Sequence, residues 1–214
     1  MEFEKRTFNT PEEQRLYEMT YTMAKITGAF LCRVMLLEDE LHKKIKEAHT
    51  DHTTKLLNNV AIEKQGAEWI RDQKPFVAVF FDLLNFKKIN DTHGHAIGNM
   101  YLQDIGDILV TVTKKRDLVA RIGGDEFLIL LDTEGATREP THIAHSVMDR
   151  TDRYVKGYNA INHPDLDNLG ISSGYAIYDP SMHPTLASVI SEADISMSLN
   201  KKQQHNENGG AYRV

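Results

Sequence analysis

The sequence predicts an α/β protein of the α+β kind, with a central mixed, largely antiparallel sheet flanked by helices and one long helix ahead of it. Three observations predict this. Apolar residues recur every three or four positions over 16–48, the spacing of a single long helix. Two short runs rich in Leu, Val and Ile, at 117–120 and 127–131, are joined by Gly123-Gly124-Asp125-Glu126 and read as a β-hairpin. Around that hairpin, helical periodicity alternates with buried-strand runs at 76–81 and 169–178. A hairpin set into a helix–strand alternation gives a sheet that is largely antiparallel rather than purely parallel.

The elements follow in order. Thr10-Pro11-Glu12-Glu13 is a helix start, with a hydroxyl cap, proline in the first turn and acids at the positive end of the dipole. The stripe of Leu16, Met19, Met23, Ile26, Phe30, Val34, Leu37, Leu41 and Ile45 then predicts a helix to about His49. A helix this long with one apolar stripe needs cover, either from its own domain or from a second copy. The narrow, nearly heptad spacing favours the second copy. A second helix is expected over 58–71, ended by Lys74-Pro75 before the first strand. That strand, 76–81, ends on Asp82. Helical spacing is expected over 83–91, a loop at 92–95, and a helix carrying Ile97, Tyr101, Ile105 and Val112 up to the basic run Lys114-Lys115-Arg116. After the hairpin come a helix over 141–155, a polar loop over 159–168, a strand over 169–178, a helix over 186–203 and a short last strand at 211–213.

The bulk properties narrow the function. At 214 residues, the chain suits one ordinary domain of ~150 residues with an extension. A net charge of −6 argues against a nucleic-acid polymer as partner, because neutralising a phosphate backbone needs a basic face. The one cysteine, Cys32, excludes an internal disulfide and reads as a packing or interface residue. No apolar run approaches the ~20 residues of a membrane span, and the first residues lack the apolar core of a signal peptide. The expectation is a cytoplasmic protein with no membrane partner. The ten histidines show no zinc spacing, and His93 and His95 read as structural.

The chemistry concentrates at two strand ends. Asp82, Asp125 and Glu126 offer the hard oxygen ligands that bind magnesium together with a substrate phosphate. A single acid after a strand is as often only a solvated turn residue; three acids at two strand ends could together make a hard-cation site. Glycine at 123 and 124 provides the backbone freedom a tight turn needs.

Gly123-Gly124-Asp125-Glu126-Phe127, with Phe86-Lys87-Lys88-Ile89-Asn90-Asp91 and Gly94-His95-Ala96-Ile97-Gly98 upstream, resembles the GGDEF family of diguanylate cyclases over about residues 51–206. The resemblance implies a nucleotidyl-cyclase-like fold and the condensation of two GTP into cyclic di-GMP with release of pyrophosphate. One GTP would bind per subunit of a homodimer. It implies Mg2+ (or Mn2+) held by Asp82, the carbonyl of Leu83 and Asp125. Glu126 is then the further acid of a catalytic turn formed with Gly123, Gly124 and Asp125. Lys87 and Lys201 fall at the family's terminal-phosphate lysines, and Phe86, Asn90 and Asn99 at its base-binding positions. A product-inhibition site is implied at Lys114 and Asp117. The division that follows is a dimerisation and signalling segment over 1–50 and a catalytic domain over 51–214.

The chain departs from the family pattern at named places. Leu84 stands where a second acid or polar residue is usual, and His205 where an arginine would reach phosphate; only protonated histidine carries charge. Lys114 replaces an arginine and lacks its planar fork. Asn99 replaces an aspartate, and a carboxamide offers one donor and one acceptor where guanine's N1 and N2 groups both donate. Two alternatives to a strict diguanylate cyclase follow: a cyclic dinucleotide synthase of relaxed base choice, using GTP and ATP, or a catalytically degenerate nucleotide-binding module.

Overall fold

The computed structural model describes residues 10–166 and 169–208, with side chains to Lys201. The strand expected at 211–213 and the side chain of His205 lie outside the described residues. Two units divide the chain, Met1–Ala48 and His49–Val214.

The first unit is built on α1 (Pro11–His49), a helix of 39 residues and so about 58 Å long. The hydroxyl of Thr10 accepts the Glu13 amide at 3.2 Å, the cap that the sequence anticipates. None of its residues is buried. The stripe lies open, with Leu16, Met23 and Phe30 about two-thirds exposed at 67, 66 and 66 %, and Cys32 is exposed rather than packed. No described helix is long and apolar enough to cross a membrane.

The second unit begins with a strap over 50–58. It doubles back through a bridge between Thr50 and Leu57, and leads into α2 (Asn59–Arg71), whose cap is the Asn58 side chain accepting the Ala61 amide at 3.0 Å. Then follow β1 (Phe76–Leu84), α3 (Phe86–His93), α4 (His95–Val112), β2 (Leu118–Gly123), β3 (Glu126–Asp132), α5 (Pro140–Asn162), β4 (Gly170–Ile177) and α6 (Leu186–Asn208). The four strands form one sheet in the order β2-β3-β1-β4. Every ladder between them is antiparallel. The parallel component of the expected mixed sheet is reduced, among the described residues, to an isolated bridge between Leu57 and Ala120.

Helices cover both faces of the sheet, which is why β1 reads as a continuous apolar run rather than an alternating one. On one face Val77, Val79, Phe81, Phe127 and Ile129 pack with Tyr101, Ile105 and Leu109 of α4 and Val147 of α5. On the other, Phe76, Ala78, Phe80, Leu128 and Leu130 pack with Ile62 of α2 and Val189, Ala193 and Met197 of α6. Each buried Val, Leu, Ile, Phe or Met among them stabilises the fold by roughly 1.5–3 kcal/mol. The approach of α6 to β4 is set by Gly174: a Cβ there would lie 2.0 Å from the Met197 nitrogen and 2.5 Å from the Ala193 carbonyl. Only a residue without a side chain lets the helix sit so close.

Several boundaries differ from the sequence expectation: α3 begins at Phe86 rather than 83, β2 runs to Gly123 rather than 120 and α6 to Asn208 rather than 203, and three further differences have identifiable causes. Strand β1 runs past Asp82 to Leu84, because Leu83 and Leu84 still pair with Ile171 and Gly170 of β4. The expected loop at 92–95 shrinks to Gly94, whose φ of +82° turns the chain between α3 and α4 in one step. Helix α5 continues to Asn162, seven residues beyond the expected end. Its extra turns bring Tyr158 and buried Asn159 to the core beside Tyr101, and a polar residue at a core position defeats an apolar-periodicity reading.

Candidate active site

The site is assembled by register. Asp82 of β1 stands opposite Glu126 of β3 and opposite Ser172 of β4. Directly opposed residues share a sheet face, and Asp82 has the parity of Phe76, Ala78 and Phe80, whose face packs against α6. From α6, Lys201 reaches down to ion-pair with the Asp82 carboxylate, both side chains being about two-thirds or more buried, at 35 and 22 % exposed. Three elements far apart in sequence therefore meet at one end of the sheet.

The turn that carries Gly123, Gly124 and Asp125 hangs from the same end. The β2–β3 ladder shifts register between Arg121 and Gly123, and Asp125 is tied instead to β1, its carbonyl accepting the Leu83 amide at 3.1 Å. Asp82, Leu83 and Asp125 are thus fixed relative to one another by backbone. The Glu126 carboxylate folds back over Gly123, where a Cβ would lie 3.2 Å from Oε2. Burial, and then the charges of Asp82, Asp125 and Asp194, push the Glu126 carboxyl above its ordinary range, with Lys201 opposing them.

These acids suit a hard divalent cation. Like charges placed directly opposite across a sheet repel, and Asp82 faces Glu126 with Lys201 as the compensating cation. Among the described residues no group of three or more His, Cys, Asp and Glu is placed to hold a metal ion by itself. Two carboxylates and a carbonyl match the partial coordination with which magnesium is held when substrate phosphates complete its shell.

Beyond β1, Asn85 takes a left-handed conformation, φ 59°, and turns the chain into α3. Lys87 lies exposed on the first turn of that helix. Phe86 stacks on Tyr101, centroids 6.3 Å apart. Asn90 is half-buried and packs its carboxamide against Gly98, where a Cβ would sit 2.0 Å from Oδ1. The next residue, Asn99, is exposed near the start of α4. Phe86, Asn90 and Asn99 therefore cluster where α3 and α4 meet.

Other expected positions stand apart. Lys114 and Asp117 lie at the far end of the hairpin from the glycine turn. Both Asp117 carboxylate oxygens accept backbone amides, from Lys114 at 2.7 Å and from Asp132 at 3.1 Å. They line a cavity of about 290 Å³ together with Arg116, Arg138 and Arg150. Leu84 is half-buried at the end of β1, against Gly170. Position 205 falls within α6. Asp194 adds its charge to the Glu126 environment, a role that no local pattern announces, and Arg121 and Asp51 bond to each other beside the turn.

Known proteins resemble the chain in sequence and in fold. A model of the GGDEF domain of diguanylate cyclases matches residues 48–207. The chain is 29% identical over 214 residues to the probable diguanylate cyclase DgcE of Escherichia coli, covering 92% of this chain and 18% of that protein. It is 32% identical over 166 residues to the diguanylate cyclase DgcP of Escherichia coli, covering 75% of this chain and 46% of that protein. It spans less than half the length of these curated relatives. Among solved structures, the coiled coil and GGDEF domain of DgcB from Caulobacter crescentus shares the fold with a TM-score of 0.71 at 22% identity, over 85% of this chain and 95% of that one. The GGDEF domain of TpbB from Pseudomonas aeruginosa gives a TM-score of 0.61 at 30% identity, over 72% and 90%.

Proposed function

Because the chain belongs to the GGDEF family of diguanylate cyclases, we propose that it condenses two GTP into cyclic di-GMP, one GTP being held by each subunit of a homodimer. The observation that carries this reading is the meeting of Asp82, the Asp125–Glu126 turn and Lys201 at one end of the sheet. In each half-reaction the 3′-oxygen of one GTP attacks the α-phosphorus of the other, the bond to pyrophosphate breaks, and the hydroxyl proton leaves to a base. Two such steps close the ring and release two pyrophosphates.

Asp82, Asp125 and the Leu83 carbonyl would hold magnesium or manganese. Such an ion neutralises phosphate charge and makes a nearby hydroxyl more acidic. Glu126 sits beside them with a carboxyl raised above its ordinary range by burial and acidic neighbours, which suits it to take up the hydroxyl proton. Lys201 and Lys87 supply point charges for the terminal phosphates, Lys201 exchanging its Asp82 partner for phosphate as nucleotide arrives. His205, when protonated, adds to them. Phe86 and Asn90 orient the base, Asn90 being locked in place against Gly98.

Reaction between two bound nucleotides requires two domains face to face. The exposed apolar stripe of α1 supplies the means as a coiled coil with a second copy. On this reading 1–50 is the dimerisation and signalling segment and 51–214 the catalytic domain. The net charge of −6 argues against a nucleic-acid polymer as partner, and no described helix is long and apolar enough to cross a membrane. Lys114, in an arginine's place, makes the cavity at Asp117 a weakened site for product feedback.

Asn99 supports a second reading, a synthase that also accepts ATP, since its exposed carboxamide matches the adjacent donor and acceptor of adenine. Pyrophosphate release from GTP and from ATP, compared in wild type and Asp125→Ala, tests both. Release from GTP that depends on Asp125 supports the cyclase, equal release from ATP supports relaxed base choice, and none from either supports a degenerate nucleotide-binding module.

A further inference from the structure

Helix α3 carries three of the proposed nucleotide contacts, Phe86, Lys87 and Asn90, but the sheet does not hold it. It spans only eight residues, and Ile89 is its one buried residue. Its chief packing partner is α4. Both of its ends turn through left-handed residues, Asn85 at φ 59° and Gly94 at φ 82°, and such corners are where a short helix can pivot. Its position is therefore set by the side chains beneath it.

Those side chains form a column. Phe86 and Asn90 lie four residues apart and so share a face of α3. Asn90 packs against Gly98, and Phe86 stacks on Tyr101, one turn further along α4, with ring planes 21° apart. Tyr101 is 1 % exposed. Its ring is backed from the end of α5 by Tyr158 at 5.9 Å and, edge-on, by the capping residue His163 at 5.4 Å between centroids. Tyr158 is fixed in turn by donating its hydroxyl to Asp104 of α4. The other end of α3 reaches the same place, since His93 Nε2 lies 3.2 Å from the Asp165 carboxylate in the loop after α5.

The Tyr101 ring makes these contacts; its hydroxyl makes none. Burial pushes that hydroxyl up to about 12, with Asn159 beside it lowering it, so it stays neutral. Its oxygen and both polar atoms of the Asn159 side chain are buried and form no hydrogen bond among the described residues. A buried hydroxyl without a partner destabilises the fold. Leucine at this position would avoid that cost but would offer Phe86 no ring to stack on.

We infer that Tyr101 is a positioning residue for the nucleotide base: its ring seats Phe86, and with it α3, on the end of α5. The inference rests on the cyclase reading, which places the base at Phe86 and Asn90. With the seat intact, α3 presents these contacts and Lys87 before GTP arrives. Without it the helix pivots at Asn85 and Gly94, and apparent affinity falls with the fraction of domains in which α3 is seated. Bound GTP restores the seat, and Asp82, Asp125 and Glu126 stand on the sheet and its turn, so the chemical step is spared.

The test uses the full chain with Tyr101→Leu, Tyr101→Phe, Tyr158→Leu and, as a core deletion elsewhere on α4, Leu109→Ala. Turnover of GTP is measured well below each Tm, beside backbone amide exchange. Tyr101→Leu is expected to raise KM for GTP about tenfold, the upper end of what one aromatic pair is worth, with kcat within about twofold. Amides over 86–94 exchange faster in it, while those of β1 and β3 do not change. Tyr101→Phe keeps the ring and loses only the unpartnered hydroxyl, so it should match wild type. Leu109→Ala should lower Tm and leave KM unchanged. Tyr158→Leu withdraws the backing from a half-buried position; it should raise KM severalfold, and it carries the test if Tyr101→Leu does not fold. Unchanged KM in the leucine variants, a loss confined to kcat, the same defect in Tyr101→Phe, or the same KM rise in Leu109→Ala would each overturn the inference. If wild type forms no product, the cyclase reading fails separately, and the calorimetric Kd for GTP with magnesium replaces KM. Binding about tenfold weaker in Tyr101→Leu but not in Tyr101→Phe then upholds the seat, and equal binding, or none by wild type, overturns it.

Discussion

Lys201 of α6 ion-pairs with Asp82 of β1, directly across the ladder from Glu126. Two carboxylates opposed on neighbouring strands repel, so the cation from α6 offsets a repulsion that the sheet register builds in. Replacing Lys201 by alanine removes that compensation and, in the proposed reaction, a phosphate contact. KM for GTP should rise on the order of tenfold, the worth of one charge-assisted hydrogen bond. Tm should change by only a few degrees, since ion pairs still partly open to solvent contribute ~1 kcal/mol or less. Steady-state kinetics beside thermal denaturation checks both.

Glu126 provides a pH signature. Its carboxyl is raised by burial and by its acidic neighbours, so the folded protein binds its proton more tightly than the unfolded chain does. The associated stability is fully present below the unfolded carboxylate value and is lost as pH rises through the folded one. Glu126→Gln should therefore raise Tm at pH 7 relative to wild type, with the gain vanishing near pH 4. Denaturation profiles of the two proteins across that range measure the difference.

Base choice turns on one side chain. Asn99→Asp restores two acceptor oxygens toward guanine's N1 and N2 donors and sets a carboxylate against adenine's ring nitrogen. The ratio of kcat/KM for GTP over ATP should rise about tenfold or more, the scale of one mismatched buried hydrogen bond. Competition between the two nucleotides at equal concentration reads that ratio directly.

The α1 stripe is expected to act through association alone. Ile26→Lys with Phe30→Glu places charges in the seam at residues 63 and 66 % exposed in the single chain. Because α1 buries no residue within the chain, the Tm of the 49–214 unit should stay unchanged. Sedimentation should show a monomer, and turnover per subunit should fall at least about tenfold at micromolar protein, because each site needs the facing one.

Much of this organisation is legible in the sequence, and what is missed has identifiable causes. The hairpin, the long helix and the acids at 82, 125 and 126 follow from local pattern, because apolar period and turn chemistry act within a few residues. The extension of β1 to Leu84 does not, since it depends on pairing with β4 nearly ninety residues on. The length of α5 is hidden by Asn159, a polar residue at a buried place. The pairing of Arg121 with Asp51 is the clearest case: the two residues stand 70 apart in the chain, and only the folded strap brings them together.

The most direct test is the mass of the product. Wild type and Asp125→Ala are incubated with magnesium and GTP, ATP or their mixture, and the products are separated and weighed. The expected result is cyclic di-GMP from GTP in wild type, lost in Asp125→Ala and lost on chelation of the metal. A folded, nucleotide-binding wild type that yields no cyclic dinucleotide, or a product undiminished in Asp125→Ala, would contradict the assignment.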